Sequence, residues 1–235
     1  MISSIINKLK SCRDWTLDDT PYLWRAIVDD PSVFVTWKEV EECLNNPQFY
    51  DLQFLDHSGR TVPIPAYRRP WGHEFTPEVK DVIDQFNHGH TVIINNFEYM
   101  RGKQELLNWV ETYFANIRAA FHVYCGTETS RSFNIHEDDA HNFIVAIDGE
   151  TQWTVYNHRK SELVSNHPPD IIDHDDLEVL IDTTLLPGDI LYIPKHYYHR
   201  AQPRGKRLSL SIPMVCPEFA GPEMKYQDRK YYEIT

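Results

Sequence analysis

Glycine is scarce in this chain, with nine residues against fifteen prolines in 235. That balance argues against a flexible, glycine-rich polymer and for many stiff turns, as a strand-rich fold requires. Cysteine is equally thin: Cys12, Cys43, Cys125 and Cys216 are scattered and form no Cys-x-x-Cys pair. Zinc-ribbon and thioredoxin-like arrangements are therefore disfavoured, and four reduced thiols in a cytoplasmic protein are expected. No apolar run approaches the ~20 residues that cross a bilayer, so no membrane partner is expected. The first ten residues are too polar, and their apolar part too short, for a signal peptide, and they read as a short amphipathic helix. Basic residues are in deficit, with a net charge of -12, which argues against broad nucleic-acid binding because phosphate contacts need a basic stripe. There is no internal repeat and no low-complexity tail.

A chain of 235 residues can bury one sizeable core. Residues 1–75 read as an N-terminal helical and extended elaboration, and residues 76–235 as the main domain. In the first part, Thr36-Trp-Lys-Glu39 is a capping-box pattern, with Trp37, Val40 and Leu44 on one helical face and Asn45-Asn46-Pro47 as the stop. Asp51 to Pro65 suggests an extended pair turned at Asp56-His-Ser-Gly59, and Tyr67 to Gly72 a loop. Thr76 with Pro77 predicts a helix start, with Val79, Val82, Ile83 and Phe86 as its apolar face and Gly89 after its end. His90–Asn95 reads as a buried strand, and Lys103–Ile117 as a helix. From Ala119 onward the pattern is strand and turn. Two apolar runs between Asn142 and Tyr156 are split by Asp148-Gly149, residues 158–176 form a polar surface crossover, and Leu208-Ser-Leu-Ser-Ile212 alternates as a last strand. Helices first and short strands later predict an α+β chain whose second part is a two-sheet antiparallel jelly roll.

Chemistry concentrates in two stretches. His136-Glu-Asp138 stands at the start of the first apolar pair of runs. Far downstream, Leu186-Pro-Gly-Asp189 leads to His199, five residues beyond Pro194. Two imidazoles and one carboxylate on one face of a metal leave the opposite positions open, the arrangement a redox iron uses to hold a co-substrate and dioxygen together. His136, Asp138 and His199 are accordingly the predicted metal ligands and catalytic residues. His141 has the wrong strand parity, Asp139 is adjacent to Asp138 and should point away, and His196 has a helical spacing from His199.

At these residues, and from about Gly89 to Met214, the sequence resembles the JmjC branch of the cupin superfamily, the iron(II)- and 2-oxoglutarate-dependent hydroxylases. It is most similar to the ribosomal-oxygenase and asparaginyl-hydroxylase groups. The resemblance implies a double-stranded β-helix, Fe(II) as the metal, and 2-oxoglutarate and dioxygen as co-substrates. It also implies that Tyr124, on the strand before His136, binds the co-substrate, with His122 sharing its face. Asn142 and Trp153 match positions frequently seen in the family; Asn142 is read as orienting the site and Trp153 as core.

One departure stands out. The related groups place a Lys or Arg fifteen residues after the first His, to hold the distal carboxylate of 2-oxoglutarate; here that position is Thr151. Threonine offers a hydrogen bond but no charge. Arg207, in Arg207-Leu-Ser209, resembles the Arg-x-Ser on the last strand of other 2-oxoglutarate oxygenases and is the predicted replacement, with Ser209 beside it. The competing reading of Arg207 is a solvated cation in the basic cluster Arg204-Gly-Lys-Arg207.

The resemblance thus implies an oxygenase that hydroxylates a protein side chain and converts 2-oxoglutarate to succinate. A small-molecule or RNA hydroxylase on the same fold stays open. So does a cupin-like metal- or ligand-binding module without turnover, which Thr151 favours and Arg207 opposes. Oligomeric state is not legible.

Overall fold

The structure is a computed structural model that describes residues 8, 20–68, 75–114, 117–158 and 177–215. The predicted N-terminal amphipathic helix, apart from Lys8, and the crossover after His158 lie outside the described residues. In chain order the elements are β1 (Tyr22–Trp24), α1 (Trp37–Asn45), β2 (Asp51–Leu55), β3 (Thr61–Val62), β4 (Ala66–Arg68), β5 (Phe75–Pro77), α2 (Val79–Asn87), β6 (Thr91–Asn95), α3 (Gln104–Tyr113), β7 (Arg118–Ala119), β8 (His122–Gly126), β9 (His141–Asp148), β10 (Thr151–His158), β11 (Val179–Leu185), β12 (Ile190–Ile193), β13 (Tyr197–Pro203) and β14 (Arg207–Val215).

Two antiparallel sheets make the jelly roll. The larger runs β1-β12-β9-β14-β8-β6-β2-β3, with β7 also on β14; the smaller is β11-β10-β13. The continuous apolar runs of β9 and β12 follow from burial on both faces. Phe143, Val145 and Ile147 of β9, with Ile190 and Tyr192 of β12, enter the main core. Their neighbours Ile144, Ala146, Leu191 and Ile193 pack inward with Trp153, Val155 and Ala201 of the smaller sheet. Each fully buried Leu, Ile or Phe contributes about 1.5–3 kcal/mol.

β14 divides differently. Leu208, Leu210, Ile212 and Met214 join the main core, whereas Arg207, Ser209 and Ser211 on the alternate face line the space between the sheets. The barrel interior is therefore apolar along β9 and polar along β14, and the site grows from that polar stripe.

Helix α1 is capped as predicted. Thr36 Oγ1 accepts from the Glu39 N–H at 3.2 Å, and Glu39 Oε2 accepts from the Thr36 N–H at 2.8 Å. Helix α2 begins later than predicted: Thr76 and Pro77 pair with Tyr67 and Ala66, and the helix starts at Val79 with Glu78 as its N-cap. The cause is sheet pairing, which holds residues 75–77 extended; the same pairing draws Tyr67 and Arg68 out of the predicted loop. Of the predicted apolar face, Val82 is buried and Ile83 and Phe86 pack on the core, but Val79 is exposed. Helix α3 is shorter than predicted, ending at Tyr113.

The Pro-Gly-Asp turn fastens the N-terminal segment to the barrel. Buried Asp189 accepts from Arg25 Nη1 (2.7 Å), the Ala26 N–H (2.8 Å) and the Leu186 N–H (3.0 Å). At Gly188, with φ of +92°, a Cβ would stand 2.5 Å from the Val28 carbonyl oxygen. Gly149, with φ of +75°, turns β9 into β10 where a Cβ would meet the Lys206 carbonyl at 1.9 Å. Only glycine fits either position.

The parity of β14 predicts that Leu210→Ala lowers the unfolding free energy by about 2–5 kcal/mol. Ser209→Ala should cost less than about 1 kcal/mol, because its hydroxyl faces the pocket. Urea denaturation distinguishes them, and equal losses would contradict the assignment of faces.

Candidate active site

Backbone pairing brings the predicted ligands together. His136 and His199 form an isolated antiparallel bridge, with His199 N–H donating to the His136 carbonyl at 2.8 Å and His136 N–H to the His199 carbonyl at 3.1 Å. The two rings stand with centroids 4.3 Å apart. Asp138 lies between them, with one carboxylate oxygen 3.9 Å from His136 Nε2 and the other 3.6 Å from His199 Nε2. One donor atom from each residue lies within 4.8 Å of the others, and no other such group of three occurs among the described residues.

Each imidazole is held in one tautomer. His136 Nδ1 donates to the Asn134 carbonyl at 2.7 Å, and His199 Nδ1 to the Tyr197 carbonyl at 2.9 Å. A carbonyl can only accept, so Nδ1 carries a proton in each ring and Nε2, on the Asp138 side, is the nitrogen left to bind a metal. Asp138 Oδ2 accepts from Asn142 Nδ2 at 3.3 Å, and Asn142 Oδ1 accepts from the buried Ser211 hydroxyl at 2.7 Å. The ionised carboxylate can only accept, which fixes the Nδ2 end of the amide toward Asp138 and leaves Oδ1 for the Ser211 hydroxyl.

Burial pushes the His199 imidazole down to about 4, with His136 adding to the shift and Asp138 opposing it. Burial alone would raise Asp138; His199, His136, the Asn142 amide and His122 outweigh it and hold the carboxyl below its ordinary range. At neutral pH the centre therefore offers a neutral His199 and an ionised Asp138, the protonation states a divalent cation needs.

The neighbours excluded on sequence lie elsewhere. His141 faces Tyr192, with Nδ1 2.8 Å from its hydroxyl. Asp139 is exposed and pairs with Lys195 at 2.5 Å. The His196 ring lies 3.3 Å from Asp139 and 3.5 Å from Glu137, while its backbone N–H, at φ of +66°, donates to the Asp138 carbonyl at 2.9 Å.

The triad opens into a pocket of about 400 Å³ lined also by Tyr124, Asn142, Trp153, Arg207, Ser209 and Ser211. Arg207 is only 2% exposed, so it is not a solvated member of the Arg204–Arg207 cluster. Its Nε and Nη2 have no partner among the described residues, and its guanidinium lies 5.8 Å from the Tyr124 ring centre. Burial pushes it down to about 10, against Tyr124 and Cys125, so it stays charged at neutral pH. Burial, with Asp138 adding and Arg207 opposing, raises the Tyr124 hydroxyl, which therefore stays protonated as a donor. A buried cation without a counter-charge costs several kcal/mol, so the pocket is built to receive an anion.

Thr151 is buried but pairs with Leu185 and Pro203, four residues up β10 from the Val155–His199 pair, and does not line the pocket. His122 does not line it either, although it shares a β8 face with Tyr124 and feels the Asp138 charge; burial lowers its pKa. Trp153, expected as core, belongs to the inner cluster and also stacks on His199 at 6.0 Å. Ser211, Ser132, Phe133, Ile144 and Ala201 line the pocket without having been singled out from sequence. Ser211 was legible in the alternation of Leu208–Ile212. Ser132 and Phe133 had no local signal, because they reach the site through the path of a loop.

Jelly-roll strands carrying a two-histidine, one-carboxylate face beside a pocket with a buried arginine define a class of cupin-type metal proteins. Comparison narrows the class: residues 93–221 match the model of the JmjC domain, and the chain belongs to that family. It is 27% identical over 161 residues to the "bifunctional lysine-specific demethylase and histidyl-hydroxylase NO66" of Drosophila erecta, covering 66% of this chain and 24% of that protein. It is 34% identical over 86 residues to human "ribosomal oxygenase 1", covering 36% of this chain and 13% of that protein. The chain thus spans a quarter or less of these relatives. Among solved structures it resembles the Escherichia coli ribosomal oxygenase YcfD, with a TM-score of 0.58 and 17% identity over 90% of this chain and 52% of that one. YcfD in complex with cobalt and 2-oxoglutarate matches with a TM-score of 0.55 and 16% identity over 95% of this chain and 60% of that one. At that identity the likeness establishes the fold.

The histidine environment predicts acid sensitivity of the metal-free protein. His199 and His122 titrate below their ordinary value near 6.5 when folded, so the unfolded chain takes up protons first as pH falls. Their contribution is complete above pH 6.5 and lost as pH drops toward 4. Urea midpoints should decline from pH 7 to 5, and a flat profile over that range would contradict the assignment.

Proposed function

We propose that the protein is an iron(II)- and 2-oxoglutarate-dependent oxygenase that hydroxylates a side chain of a protein substrate. The observation that carries this reading is the buried Arg207 guanidinium, its Nε and Nη2 without a partner among the described residues, in the same pocket as the His136–Asp138–His199 triad. A metal-only binding module has no use for a buried cation beside its centre; a dicarboxylate co-substrate that chelates the metal at one end needs one at the other. The names of the relatives, oxygenases and a histidyl-hydroxylase, support both the chemistry and the protein substrate.

In this reading iron(II) bound with 2-oxoglutarate supplies the oxidising chemistry, in which dioxygen is divided between succinate, formed with loss of carbon dioxide, and a hydroxylated substrate carbon. His136, Asp138 and His199 hold the ion by one face and leave the opposite positions open. Asn142, itself held by Ser211, keeps the Asp138 carboxylate turned toward the centre. Arg207 takes the distal carboxylate of 2-oxoglutarate in place of the charge that Thr151 lacks, and the protonated Tyr124 hydroxyl donates to the same group. Ile144, Ala201 and Trp153 supply the apolar wall that limits water. The described part of the N-terminal elaboration braces the jelly roll, through β1 on β12 and β2 on β6. No helix among the described residues is long and apolar enough to cross a membrane.

Asp138→Ala and His199→Ala should each reduce succinate formation by more than about 10³-fold with little change in urea midpoint. Arg207→Ala should raise the 2-oxoglutarate requirement about 10- to 100-fold, the loss of a charge-assisted pair. Full activity in both ligand variants would refute the metal assignment, and an unchanged requirement in the Arg207 variant would refute the anchor.

A further inference from the structure

A second group of histidines lies outside the site and takes no part in the proposed chemistry. His57 is in the β2–β3 turn, His88 caps the end of α2, and His90 immediately precedes β6. The rings of His57 and His90 have centroids 5.5 Å apart, and those of His88 and His90 6.4 Å apart. Two imidazoles on one tetrahedral ion, with metal–nitrogen bonds of about 2.1 Å, stand with centroids about 5 Å apart, so the His57–His90 separation is near that spacing and the His88–His90 separation is longer.

The tautomers point the same way. His57 Nδ1 faces the Thr129 carbonyl at 3.2 Å, His88 Nδ1 the Asp84 carbonyl at 2.5 Å, and His90 Nδ1 the Gln85 Oε1 at 2.7 Å. All three partners are acceptors, so each Nδ1 is the donor and Nε2 is the ring nitrogen left over for a cation. This is the outer hydrogen-bonding pattern of histidines that ligate metals. Burial, together with His57 and His88, lowers the pKa of His90, leaving it neutral at physiological pH. Asp56 lies close enough for its charge to act on His90 and is itself ionised, its carboxyl held down to about 2 chiefly by the Ser58 hydroxyl and the Arg60 N–H.

We propose that His57, His88 and His90 form a second cation site, which takes a divalent ion of the zinc type and is separate from the His136–Asp138–His199 centre. The site closes on the ion rather than standing preassembled, since these three do not have all their donor atoms within 4.8 Å of one another. His57 and His88 are exposed and free to swing, and His90 is the half-buried fixed point. The ion would join the β2–β3 turn to the C-terminal end of α2. That turn touches the segment leading into the active site: a Cβ on Gly59 would lie 2.4 Å from the Ser132 carbonyl oxygen, and Asn134 Nδ2 donates to the Ser58 carbonyl at 3.4 Å. The cation thus braces the loop that delivers Ser132, Phe133 and His136 to the pocket.

The test is zinc stoichiometry by equilibrium dialysis on the untagged full-length chain. The His136→Ala/His199→Ala double variant should retain one equivalent of zinc and lose it when His57→Ala and His88→Ala are added. Cobalt(II) in the same site should give the intense visible absorption of a four-coordinate ion. In the otherwise wild-type chain, replacing the exposed His57 and His88, which contribute little to packing, should lower zinc from two equivalents to one. A wild-type chain that binds one equivalent, or zinc binding unchanged without His57 and His88, overturns the proposal. Neither result depends on whether the chain turns over 2-oxoglutarate.

Discussion

A guanidinium enclosed at 2% exposure, with two of its nitrogens unpartnered among the described residues, is the constraint around which the barrel interior is arranged. Removing such a charge from water costs several kcal/mol unless an anion or a set of acceptors meets it. The fold tolerates Arg207 because the interior is polar on that side, with Ser209, Ser211, Asn142 and the Tyr124 ring about it. In the proposed function that cost has a use, because a carboxylate arriving in the pocket is met by a cation already in place. A stable binding cavity for an apolar molecule would have no reason to carry it.

The metal-binding face depends on a different device. His136 and His199 are 63 positions apart in the chain, yet two backbone hydrogen bonds set them opposite each other. The carbonyls of Asn134 and Tyr197, each two residues from its histidine, then fix both rings. Position, tautomer and direction are thus determined by the main chain before any ion binds. The carboxylate of Asp138 is tied in turn through Asn142 to Ser211, so the same strand, β14, holds both Arg207 and the far end of the hydrogen-bond chain from Asp138.

Much of this was legible in the residues. The His-x-Asp pair and distant His199 marked the three residues that the fold brings together, because a metal site on a barrel draws on strands far apart in sequence. The alternation of Leu208–Ile212 marked a strand with two unlike faces, and it also implied Ser211, which local reading passed over. The burial of Arg207 was legible only through the resemblance of Arg207-Leu-Ser209 to the Arg-x-Ser of related oxygenases: its sequence neighbours Arg204 and Lys206 are exposed cations, and the strand parity that turns Arg207 inward separates it from them. The late start of α2 was hidden for a similar reason. Thr76 and Pro77 satisfy every local rule for a helix start, but pairing with Ala66 and Tyr67 wins. Phe133 and Ser132 had no signal at all, since loop paths are set by tertiary contacts such as that of Gly59 with Ser132.

The central claim is that the triad and Arg207 together hold one dicarboxylate co-substrate. Its most direct test is the visible charge-transfer band that forms when 2-oxoglutarate is added to the iron(II)-loaded protein without oxygen. The account predicts a band in the wild-type protein that weakens strongly at the same 2-oxoglutarate concentration in Arg207→Ala. Absence of the band in protein shown to hold iron would contradict it and leave a metal-binding module in its place.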